Sequence, residues 1–126
     1  MGTVVHLRQR ETIAVDSNHI AAMFRHMGAA QAEMAIITAI EDLMAHLRLA
    51  EAALADGRFD QVPEHAQAAY DQAEGIGLVS LASVLAQLDA SCQAKDTTAA
   101  HALWHRATRV GDMSFVDLWE LPLLQM

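Results

Sequence analysis

The sequence predicts an all-α protein: an up-and-down four-helix bundle with a short extra helix at its start. Three observations carry this. The chain of 126 residues is 53% hydrophobic but only 5% aromatic, and its apolar content is mostly Ala, Leu, Ile, Val and Met, which suits helices better than sheet sandwiches. It holds 6 Gly and 2 Pro, too few for the turn every ten or so positions that an all-β chain needs. Apolar positions recur at alternating steps of four and three in four successive segments, and none alternates at the period of a strand.

Taken in order, residues 1–15 show no helical period and carry several charges, so they read as a flexible or loosely docked arm before a single domain over 16–126. Asp16, Ser17 and Asn18 are capping residues ahead of a short helix from His19 that ends near Gly28. Ile36, Ile40, Leu43, Leu47, Ala50 and Leu54 then form one stripe, with Glu33, Glu41, Asp42, Arg48 and Glu51 opposite, until Asp56-Gly57 closes the helix. Val62, Ala66, Ala69, Ala73 and Ile76 repeat the spacing with small side chains, and Pro63 is tolerated in that first turn. Small side chains let neighbouring helices approach closely.

Gly75-Ile76-Gly77 breaks this helix. Leu78, Leu81, Leu85, Leu88 and Cys92 mark the next one, which stops around Ala94-Lys95-Asp96. Asp96 and Thr97 cap the last, with Ala100, Leu103, Ala107 and Val110 on its inner face. Helical character resumes beyond Gly111 and ends at Pro122. Phe115, Val116, Leu118, Trp119, Leu121, Leu123 and Leu124 make this tail apolar, so it must be covered, either along the bundle or across a dimer.

The formal net charge of −8 repels phosphate backbones and anionic lipid, which argues against nucleic-acid and membrane partners. No apolar run approaches the ~20 residues that span a bilayer, and the start MGTVVHLRQRETIAVD has no signal-peptide core. A cytoplasmic location is the expectation, and the single Cys92 reads as a core residue.

The order of Met27-Gly28, Ala52-Ala53-Leu54-Ala55-Asp56-Gly57, Gly75-Ile76-Gly77-Leu78 and Lys95-Asp96 resembles the histidine phosphotransfer (HPt) domain of bacterial two-component phosphorelays over residues 20–110. That family carries His-x-x-Lys-Gly with its histidine ten residues before the glycine of the following turn. Counted back from Gly77, the position is Gln67, in Gln67-Ala68-Ala69-Tyr70-Asp71. An amide nitrogen is neither basic nor nucleophilic, so Gln67 cannot form a phosphoramidate. Tyr70 and Asp71 stand where the family has lysine and glycine. The resemblance therefore implies a non-catalytic HPt-like protein-interaction domain. It would bind a receiver domain or histidine kinase through Gln67, Tyr70, Asp71 and Glu74, with no cofactor.

Two alternatives stay open: a phosphorelay protein active through His65, and a purely structural module that dimerises. At ~100° per residue His65 falls at the boundary of the small-residue stripe, whereas a phosphoacceptor must be exposed. His101 and His105 stand at i and i+4, where two imidazoles can share a metal ion, but no third ligand follows and no metal is assigned. His26 and His46 stand alone in the sequence. No Ser/His/Asp order, Gly-rich phosphate loop or paired carboxylate supports an enzyme.

Overall fold

The computed structural model describes residues 13–125, and those residues form helices and connecting turns with no strand. The short first helix, α1, is Ser17–Met27. Asp16 caps it, its carboxylate accepting from the backbone N–H groups of Asn18 at 3.1 Å and His19 at 3.2 Å. Gly28, at φ +83°, turns the chain directly into α2, Ala29–Ala55. A 3₁₀ turn at Phe59–Gln61 leads into α3, Val62–Gly75, with Pro63 in its first turn, where a missing N–H breaks no helical bond. Next come α4, Val79–Gln93, and α5, Thr97–Trp119, capped by Asp96. A final 3₁₀ turn at Pro122–Leu124 follows.

Three consecutive helix ends close in the same way. At each, a residue in the left-handed region directs its own N–H and the next one back onto the last helical carbonyls. Arg58 N donates to Ala53 O at 2.8 Å beyond Gly57, Leu78 N to Ala73 O at 2.9 Å beyond Gly77, and Asp96 N to Ser91 O at 2.9 Å beyond Lys95. Lys95 holds φ +60° without being glycine. Gly77 has a second duty, because Asp16 N donates to its carbonyl at 2.8 Å and a Cβ added there would meet Asp16 O at 3.1 Å.

The helices pack in chain order, α1 on α2, then α2 on α3, α3 on α4 and α4 on α5, as a helical bundle. Cross-helix pairs such as Gln67 with Asp89 and His46 with His65 straddle the turns and set consecutive helices antiparallel. Trp104 of α5 reaches back to α2, its indole N–H donating to Leu47 O at 3.2 Å. The core holds Ile20, Ile36, Leu43, Val62, Leu78, Leu81, Leu85, Leu88, Val110 and Leu118, with Ala66, Ala69 and Ala73 from α3.

One detail differs from the sequence reading. Helix α5 runs unbroken through Gly111, which is buried against Leu81. The expected N-terminal arm lies outside the described residues as far as position 12, but its end is docked. Ile13 and Val15 pack against the core, and Ala14 exchanges hydrogen bonds with Ser80. The apolar tail divides: Leu118 is fully buried and Phe115, Leu121, Leu123 and Leu124 pack on the core, while Val116 and Trp119 stay exposed. Among the described residues no helix is long and apolar enough to cross a membrane.

The two glycines should respond oppositely to a methyl group. At Gly111 a Cβ would meet Leu81 at 3.8 Å, ordinary contact. Gly111→Ala should therefore stabilise the protein by about 0.5–1 kcal/mol by relieving the helix penalty of glycine. Gly77→Ala should destabilise by roughly 1–2 kcal/mol, through its positive φ and the approach of Asp16. Urea denaturation of both variants checks the signs.

Candidate functional site

Helix α3 turns Val62, Ala66, Ala69 and Ala73 inward, so the residues between them face outward in a register that the core sets. Gln67 is exposed, and its amide donates to the Asp89 carboxylate of α4 at 3.2 Å. Asp71 and Glu74 are exposed further along the same helix, and Tyr70 is half-buried between them and α4.

Tyr70, Asp71 and Glu74 form one wall of an open groove of about 900 Å³. The opposite wall is α4, with Val79, Ser83, Ala86, Gln87 and Ala90 exposed along it and Ala82 buried at its foot. Asp16 and His19 close one end, and His19 Nε2 donates to Gly75 O at 2.7 Å, tying α1 to the end of α3. Beyond Tyr70 and Ala86 a smaller hollow of about 220 Å³ continues past Gln67 to Asp89. No Lys or Arg lines either part, and Asp16, Asp71, Glu74 and Asp89 make the rim acidic.

Tyr70 and Glu74 sit one turn apart. The Glu74 carboxylate takes the phenol's hydrogen bond and adds its own charge, and both effects hold the Tyr70 hydroxyl protonated above its ordinary range. The groove thus presents an oriented phenol beside carboxylates and an exposed amide. It offers hydrogen-bond acceptors, acidic charge and a low, partly apolar wall. Asp89, Asp16 and His19 were not among the residues that the sequence singled out. The one available signal was Ala82, Ser83, Ala86 and Ala90 lying off the core stripe of α4.

His65 is half-buried and directed to α2, where its Nδ1 lies 3.1 Å from Nδ1 of His46. His46 is therefore not isolated. His101 and His105 are exposed, but their rings turn to different neighbours, His101 to the edge of Phe59 and His105 to Trp104. Among the described residues no group of three or more His, Cys, Asp or Glu is arranged to hold a metal ion. Cys92 is buried at the inner end of α4. Burial pushes its thiol up, the charge of Asp89 adds to this and a hydrogen bond with Ser91 opposes it, so the residue is held as an unreactive thiol.

Tyr70 is the only tyrosine, so its ionisation can be followed by tyrosinate absorbance without overlap from another phenol. In Glu74→Gln the titration should move down towards that of an ordinary tyrosine, because both the charge and the carboxylate acceptor are gone. An unmoved titration would separate the two side chains. No protein-family model, curated protein or solved structure matches the chain.

Proposed function

We propose that the protein is a non-catalytic interaction domain of the HPt-like type that binds a receiver or histidine-kinase domain through the Gln67 face. The observation that carries this reading is the place of Gln67. It stands at the register where the resemblance expects the phosphoacceptor, it is exposed, and it borders a small hollow that shares Tyr70 and Ala86 with the larger acidic groove. The up-and-down order of long helices and the turn at Gly77 agree with that register. The chemistry at the position is binding: an amide, a phenol and carboxylates can dock a protein, but none can carry a phosphoryl group as a phosphohistidine does.

A second reading, a module that dimerises, draws on a different surface. Seven large apolar side chains remain exposed on two helices: Met34, Ile37, Met44 and Leu49 on α2, and Met113, Val116 and Trp119 on α5. Light scattering separates this reading from the first, since it requires a dimer at micromolar concentration.

For the first reading, incubation with a phosphorylated receiver or an autophosphorylating kinase should leave the protein unlabelled while a complex forms. Glu74→Lys should weaken that complex at least tenfold. It should leave the unfolding free energy within about 0.5 kcal/mol of the parent, as expected of an exposed substitution. Acid-labile label that vanishes in His65→Ala would overturn the reading in favour of a relay through His65.

A further inference from the structure

His46 and His65 meet across the α2–α3 interface with Nδ1 atoms 3.1 Å apart and ring centroids 5.4 Å apart. That centroid separation is about the greatest that this nitrogen contact allows between two imidazoles, so the nitrogens face one another head-on with a single proton between them. On the far side of His46, Nε2 lies 3.8 Å from Asp42 Oδ2, one turn earlier on α2. The carboxylate favours a proton on Nε2 and so leaves Nδ1 of His46 with a free lone pair aimed at His65.

We propose that this pair is a binding site for a divalent transition-metal ion that prefers imidazole nitrogen, such as zinc, which takes the place of the shared proton and ties α2 to α3. Two metal–nitrogen bonds of ~2.0–2.1 Å spanning the observed gap subtend roughly 100° at the metal, between the right angle of octahedral sites and the tetrahedral angle. The two nitrogens are thus already at the spacing of neighbouring ligands of one ion. The rings must turn by about 40° so that their lone pairs converge, and the partial exposure of both side chains gives them room. The proton on Nδ1 of His65 passes to its Nε2 through solvent, so a neutral pair loses none. Asp42, 3.8 Å from Nε2 of His46, adds negative charge beside the site.

No third protein ligand joins the two among the described residues. Water completes the coordination, and the ion is exchangeable rather than a permanent part of the fold. This site does not depend on the docking role of the Gln67 face. It also differs from the i, i+4 pair His101 and His105, whose rings are directed to Phe59 and Trp104.

The test compares thermal unfolding at about pH 7.5, above the ordinary histidine range, with and without excess zinc chloride. Zinc should raise the Tm of the parent protein by about 3–6 °C, as a ligand of the folded state does. The rise should disappear in His65→Gln and persist in the double variant His101→Gln/His105→Gln. In the intact protein, ring-proton NMR should show zinc moving the His46 and His65 resonances first. No rise in the parent, a rise that survives His65→Gln, or one that follows His101 and His105 would each overturn the site.

Discussion

Helix α3 is covered by α2 on one side and by α4 on the other, and the side chains it turns to them are Val62, Ala66, Ala69 and Ala73. Three of these four are methyl groups and all are buried, so the neighbouring helices close over α3 with little between the backbones. Nothing larger fits without moving one of them, because interiors are packed to near-crystalline density. This close seating orients the rest of the molecule. It brings His46 within hydrogen-bond distance of His65, sets Asp89 beside Gln67, and leaves Tyr70, Asp71 and Glu74 along the open edge.

The same constraint explains why the exposed face of α3 carries chemistry while the buried face carries none. A helix that gives up its inner stripe to alanine contributes little burial per residue. Its stability then comes from neighbours and from its C-terminal end, which is tied twice. The turn through Gly77 holds Asp16, and Gly75 O receives His19. With that end held, its outer residues keep a fixed spacing against the wall of Val79, Ser83, Ala86 and Ala90. A rigid, acidic, amide-bearing groove of this kind is suited to the proposed docking role, since a preorganised surface loses less conformational freedom on binding.

Much of this was legible in the sequence because it is local. The four apolar stripes, the Asp16 and Asp96 caps and the Gly57 and Gly77 breaks each express a preference over a few residues, and the helices begin and end near them. The exposure of Gln67 followed from its angle to the alanine stripe. What was not legible depends on how helices meet. Gly111 read as an interruption, yet the burial of Val110 and Leu118 on either side outweighs a glycine penalty of about 1 kcal/mol. Lys95 occupies a left-handed turn position that its side chain does not advertise. The His46–His65 and Gln67–Asp89 pairs join residues 19 and 22 positions apart, and only the register of two packed helices brings them together.

The seating of α3 is tested most directly by placing the same large side chain on its two faces. Ala69, fully buried, and Gln67, exposed, are two residues apart. Leucine at the first overfills the interface, whereas leucine at the second stays in water. Urea unfolding should show Ala69→Leu losing about 1–3 kcal/mol, and Gln67→Leu staying within roughly 0.5 kcal/mol of the parent. Equal stability of the two variants would mean that α3 is not closely seated and that the face built upon it has no fixed register.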